Sequence, residues 1–160
     1  TVALAVWGNR GATIVRIVDS GAPITIALRA GTVLPLCRSA TGQAFAAFFR
    51  SPFLKQMLDQ ELREISEAGK IAITTARRQL EKTLTEIRRH GISRASGSLT
   101  PGINGFSAPV FDHSGMMVAA ITSLGTVGEF SVEWDSRVAR AMRAAASNLS
   151  RKLGFQQPEG

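Results

Sequence analysis

Asp112, His113 and Ser114 stand side by side and supply the three residue types of a hydrolytic triad. A triad needs nucleophile, base and orienting acid to converge on one substrate atom, so three neighbours between Phe111 and Gly115 read as a turn instead. Ser107 follows Gly105-Phe106, but Ala108-Pro109 comes next, and the glycine-flanked serine of a nucleophile elbow is missing. Gly69-Lys70 resembles the end of a phosphate-binding loop; Glu64 stands where its first glycine belongs and Ile71 where a hydroxyl is required. One cysteine and two histidines, His90 and His113, make no zinc spacing, and each histidine reads as a surface residue. Cys37 has no second cysteine to resolve an oxidised form, and reads as a small, partly buried side chain. No catalytic residue, metal or cofactor is expected.

Nineteen Lys+Arg against twelve Asp+Glu give a net charge of +7, which raises the question of an anionic partner. Arg137, Arg140 and Arg143 recur every third residue, and Arg77, Arg78, Arg88 and Arg89 flank a second segment. Glu81, Glu86, Glu133 and Asp135 are interspersed, and no aromatic is placed for base stacking. These residues read as solvated helix faces.

The elements that must position any site follow from periodicity. Val2 to Trp7, Ile14 to Val18 and Ile24 to Leu28 read as three strands separated by Gly8-Asn9-Arg10-Gly11 and Ser20-Gly21-Ala22-Pro23. Ser39 is a suitable N-cap for a helix carrying Ala40, Ala44, Ala47 and Phe48. Leu54, Leu58, Leu62 and Ile65 predict a short helix, whole or broken, up to Gly69, and Ala76, Leu80, Leu84 and Ile87 a helix over Thr75–His90 stopped by Gly91. Ile92 to Ala95 reads as a short strand. Ile103–Phe111 and Met117–Leu124 form a hairpin around Asp112–Gly115, and Ser131–Lys152 a terminal helix with Trp134, Val138, Met142, Ala145 and Leu149 inward. Strands, helices, strands and helix in that order describe an α+β domain with an antiparallel sheet. A chain of 160 residues is one domain that buries about 70% of its unfolded surface without a disulfide. No apolar run approaches the ~20 residues of a membrane span, so a cytoplasmic location and no membrane partner are expected.

The hairpin carries the most specific signal. A four-residue turn sets Phe111 opposite Met116, Ser107 opposite Ala120, Gly105 opposite Thr122 and Ile103 opposite Leu124. Alternation then puts Ile103, Gly105, Ser107, Ala120, Thr122 and Leu124 on one face, where the small side chains leave room. A packed helix or a ligand could fill it. The segment Leu36-Cys37-Arg38-Ser39-Ala40-Thr41 leads into a helix whose first amides suit a carboxylate, with Arg38 adding charge.

Three runs, in the same order and over nearly the whole chain, resemble the C-terminal effector-binding domain of IclR-type transcriptional regulators. They are Leu34-Pro35-Leu36-Cys37-Arg38-Ser39-Ala40-Thr41-Gly42-Gln43-Ala44, then Ile103-Asn104-Gly105-Phe106-Ser107-Ala108-Pro109-Val110-Phe111-Asp112, then Ala119-Ala120-Ile121-Thr122-Ser123-Leu124-Gly125. The resemblance implies a GAF-like α+β fold, an antiparallel sheet with helices packed on both faces, and a small-molecule pocket between the helix start and the hairpin strands. It carries Ser39, Ala40, Gly105, Thr122 and Leu124 into that pocket, and aligns Ala95 with an acidic, ligand-contacting position of relatives. Ala95 offers no side-chain acceptor, Leu124 replaces a frequent hydroxyl and Arg38 a usually small residue, which fits a relatively apolar effector bearing an acid group.

The full candidate set is Leu36, Cys37, Arg38, Ser39, Ala40, Ala95, Ile103, Gly105, Ser107, Ala120, Thr122 and Leu124. The resemblance further implies a homodimer or homotetramer, and DNA contact only through an N-terminal winged helix-turn-helix expected before Thr1 in a longer protein. A nucleotide-binding GAF module, a GAF-like enzyme and a purely structural dimerisation domain are the rival readings.

Overall fold

The structure is a computed structural model that describes residues 1–19, 21 and 28–157. The opening alternation forms two antiparallel strands, β1 (Val2–Gly8) and β2 (Gly11–Val18). Ala3 and Ala5 pack with Ile14 on one face of the sheet while Leu4 and Val6 turn to the other. The third expected strand, Ile24–Leu28, lies outside the described residues apart from Leu28.

Three helices follow. α1 (Ala40–Phe48) starts where the sequence expects, with the Ser39 hydroxyl accepting from the Gly42 amide at 2.8 Å. α2 (Leu54–Gly69) is one continuous helix of 16 residues, not a short or broken one, and ends at Lys70 in a left-handed conformation. α3 (Ile73–His90) begins two residues earlier than Thr75. It buries the expected stripe of Ala76, Leu80, Leu84 and Ile87. Gly91 closes it at φ 67°, its amide donating to the Ile87 carbonyl at 2.8 Å.

β3 (Ser93–Ser96), β4 (Ile103–Phe111) and β5 (Met117–Thr126) complete a five-stranded antiparallel sheet in the order β2-β1-β5-β4-β3. The hairpin register differs from expectation. Phe111 pairs with Met117, a bulge falls between Val110 and Phe111, and Ser107 lies opposite Thr122, Gly105 opposite Leu124 and Ile103 opposite Thr126. The shift is two residues over most of the ladder, and because side chains alternate with period two it leaves the expected set on one face.

α4 (Arg137–Lys152) starts six residues later than Ser131. Ser136 caps it, accepting from the Ala139 amide at 3.1 Å. The carbonyls of Val132, Trp134 and Asp135, which an earlier helix would have used, accept instead from the guanidinium groups of Arg94, Arg143 and Arg140 at 2.6, 3.0 and 2.7 Å. The buried stripe is accordingly Ala139, Met142, Ala146 and Ser150, with Ala145 exposed. Trp134 lies before the helix, with Arg94 over its ring at 3.9 Å and the His90 ring stacked on it at 4.3 Å.

The result is a layered domain. α4 covers Phe106, Ala108 and Val110 on one face of the sheet. α1 covers the other face, with Phe45 against Ala3, Ala5 and Ala120, and α2 and α3 pack outside it through Ala46, Leu62, Leu80 and Leu84.

Candidate functional site

Where α1 begins, its first turn meets β3, β4 and β5 across a cavity of about 50 Å³. Of the sequence candidates, Ser39, Ala40, Ala95, Ile103, Gly105, Thr122 and Leu124 line it. Gly105 makes the room: a Cβ there would stand 2.7 Å from Leu124 Cδ2 and 3.7 Å from Ala40 Cβ. Leu28, Leu34, Thr41, Leu99 and Thr100 complete the lining. Thr41 was within reach of the helix-start reasoning. Leu99 and Thr100 belong to the loop between β3 and β4, and nothing in its sequence marks a wall.

The polar groups at this junction are well specified. Ser39 Oγ donates to the Pro35 carbonyl at 2.7 Å while accepting from Gly42 N. The Thr41 and Thr122 hydroxyls are 2.7 Å apart, and Thr122 Oγ1 donates to Ser107 Oγ at 2.8 Å. Ser93 Oγ ties β3 to α1 through the Ala40 carbonyl and reaches the Ser107 carbonyl at 3.2 Å. Among the described residues no group accepts from the amides of Ala40 and Thr41, the unpaired donors expected in a first helical turn.

Leu36, Cys37, Arg38, Ser107 and Ala120 do not line the cavity. Ser107 and Ala120 are fully buried beside it, the first as the acceptor for Thr122 and the second in the core. The segment before α1 is turned toward α2 because the Glu61 carboxylate takes the Leu36 and Cys37 amides, both at 2.8 Å. Arg38 is exposed and borders a separate groove with Glu61 and Glu64. Replacing Arg38 with alanine is therefore expected to leave affinity for an acidic ligand within about twofold; a tenfold loss by calorimetric titration, about 1.4 kcal/mol, would return Arg38 to the site.

Burial and then the Glu61 carboxylate push the Cys37 thiol up to about 12. The thiolate is the nucleophile, so at pH 8 far less of the reactive form is present than at a free thiol. Labelling of Cys37 by a disulfide reagent should be correspondingly slow in the folded domain and rapid in urea; equal rates would show the thiol to be ordinary.

Asp112, His113 and Ser114 form the turn the sequence suggested. One Asp112 oxygen accepts from the Ser114 amide, the Ser114 hydroxyl and the Met116 amide at 2.8, 2.6 and 3.1 Å. Bonding to Ser114 first, and to these amides, holds the Asp112 carboxyl below its usual range. That oxygen is committed to its own turn, and among the described residues no hydrogen bond joins Asp112 to a histidine. Among the described residues no group of three histidine, cysteine or acidic side chains is placed to hold a metal, and no helix is long and apolar enough to cross a membrane.

The arginines serve a similar local purpose. Arg77 pairs with Asp59 at 2.9 Å and Arg88 Nε donates to the Ala47 carbonyl at 3.0 Å, while Arg94, Arg140 and Arg143 hold the approach to α4.

The pattern of the family described as bacterial transcriptional regulator IclR C-terminal matches residues 1–151. The chain belongs to the IclR C-terminal family. This IclR domain is 29% identical over 155 residues to the uncharacterized HTH-type transcriptional regulator RhmR of Escherichia coli K12, spanning 97% of the chain and 58% of that protein. It superposes on Pseudomonas aeruginosa HmgR with a TM-score of 0.84 at 32% identity, covering 98% of the chain and 60% of HmgR. The repressor BlcR of Agrobacterium tumefaciens gives a TM-score of 0.74 at 26% identity, with 98% and 60% covered. The chain thus spans about 60% of the length of these relatives. The α+β architecture expected from the sequence, an antiparallel sheet between helices, is that of these IclR structures.

Proposed function

We propose that this IclR domain binds a small organic acid in the cavity at the start of α1 and passes that binding on to the assembly of a cytoplasmic regulator. The supporting observation is the cavity itself. The α1 start and the hairpin, two elements far apart in sequence, leave a space there lined in part by Ala40 and Thr41, whose amides have no acceptor among the described residues. Those amides and the positive end of the helix suit a carboxylate, and the leucine and isoleucine walls suit a short apolar body.

RhmR is an HTH-type regulator longer than this chain, so DNA contact is assigned to a preceding helix-turn-helix domain of the whole protein. Effector binding then acts by favouring one arrangement of a dimer or tetramer over another. A nucleotide-binding role is disfavoured by size. A cavity that accommodates benzene measures about 150 Å³, against about 50 Å³ here. Catalysis is disfavoured because Asp112, His113 and Ser114 form a tight turn in which one Asp112 oxygen is bonded to Ser114 and Met116.

Thermal-shift screening against aliphatic and aromatic acids tests the reading. An effector at a hundred times its dissociation constant adds about 2.7 kcal/mol, which raises the Tm by about 5–10 °C. No shift with any acid at millimolar concentration rejects it, and a shift with a cyclic nucleotide alone replaces it with the nucleotide-sensor reading.

A further inference from the structure

We infer that a second copy of this chain docks on the groove between α2 and α3, each copy placing Phe53 in the groove of the other. The inference names a surface for the assembly step of the proposed function, and it stands or falls separately from effector binding.

The groove lies where the link between α1 and α2 meets the two outer helices, and has a volume of about 640 Å³. Leu62 and Leu80, both buried, line it together with the half-buried Phe49, Leu54 and Leu58. Phe53 stands between Pro52 and Leu54, two residues of the lining, and is 65% exposed, more than any other large apolar side chain among the described residues. It serves neither the core nor the helix. At the N-cap position of α2, where serine, threonine, aspartate or asparagine would bond the first amides, Phe53 makes no side-chain capping bond. Interfaces seat such rings in apolar pockets of the partner, and here ring and pocket are neighbours on one surface.

A closed dimer uses one self-complementary patch, so a two-fold axis passing between Phe53 and the groove brings each to the other on the second copy. The charges agree. Arg77 pairs with Asp59 at 2.9 Å, but Arg50, Lys55 and Glu81 also line the groove and have no ion-pair partner among the described residues. The two cations stand on the link and on α2, and the anion on α3. A two-fold turn sets the Lys55 side of one copy against the Glu81 side of the other, twice over. Charges of a single sign around the groove would repel a second copy; these pair with it. A foreign partner would have to supply both an anchor for the groove and a cover for Phe53, whereas a second copy supplies both with one residue.

Sedimentation velocity of the chain over about 1 to 100 μM tests this. The wild-type chain should self-associate, and Phe53→Ala should raise the dissociation constant of that step by about tenfold or more while scarcely moving the melting temperature. Lys55→Glu and Glu81→Lys should each weaken association alone, because each sets like charges opposite one another across the axis. Mixed in equal amounts the two variants should associate again, since both contacts then join opposite charges. A chain that stays monomeric over this range overturns the inference, as does self-association that Phe53→Ala leaves unchanged, or a mixture no tighter than its components. Each of those results leaves effector binding standing, and the failure of every acid to bind bears on the effector reading alone. If Phe53→Ala lowers the melting temperature steeply, the mixture of charge reversals decides.

Discussion

Replacing Gly42 with alanine is expected to destabilise the domain by about 3 kcal/mol or more, a fall in Tm of about 6–12 °C. Gly42 is buried in the first turn of α1. A Cβ built there lies 2.0 Å from the Pro35 carbonyl oxygen and 2.6 Å from Leu36 Cα. These are backbone atoms and have no rotamer to change. The Pro35 oxygen is also held in place, since it accepts from both the amide and the hydroxyl of Ser39. Relief requires α1 to lift away from the segment that caps it, and α1 fills the space between the sheet and α3.

Gly91→Ala is the matched control. Gly91 has a positive φ but no atom within 4 Å of its would-be Cβ, so its cost is confined to backbone strain of about 1–2 kcal/mol. Urea denaturation of both variants decides the matter. A Gly42→Ala cost no larger than that of Gly91→Ala would mean that α1 is seated more loosely than its contacts indicate.

The difference between what was legible in the sequence and what was not follows the range of the interactions. The helix start at Ser39, the stop at Gly91 and the turn at Asp112 rest on bonds between residues two to four apart, and each stands where its residue type placed it. The shared face of Gly105 and Thr122 survived an error of register, because a two-residue slip conserves alternation whereas a one-residue slip would have turned the whole face over. Side-chain contacts that reach beyond a single turn were not legible. α4 begins late because arginines from β3 and from α4 itself take the carbonyls of Val132, Trp134 and Asp135. Arg38 is turned away from the cavity because Glu61, on α2, grips the amides just before it. Neither partnership leaves a local trace. The net charge belongs with these cases: Arg88, Arg140 and Arg143, among the arginines that suggested an anionic partner, bond carbonyls of their own chain.

Gly105→Ala should separate binding from stability. The nearest atom to the added methyl is Leu124 Cδ2 at 2.7 Å, the far end of a side chain that can change rotamer, and Ala40 Cβ at 3.7 Å is at ordinary contact distance. Alanine is also less costly than glycine in the middle of a strand by about 0.5–1 kcal/mol. The expected net change in stability is therefore within about 1 kcal/mol. Binding has no such compensation. The methyl and the displaced Leu124 side chain both enter a space of about 50 Å³, and each removes volume that the ligand needs. Affinity for the acid identified by thermal shift should fall by tenfold or more, about 1.4 kcal/mol, while the urea midpoint scarcely moves. Gly105→Val, with two further methyl groups, should abolish binding at millimolar concentration. If Gly105→Ala binds the acid as the parent does, the ligand does not occupy the space between Ala40 and Leu124, and the site must be sought elsewhere on the domain. If binding and stability fall together, the glycine serves the packing of α1 on β4, and the cavity is a by-product of that packing.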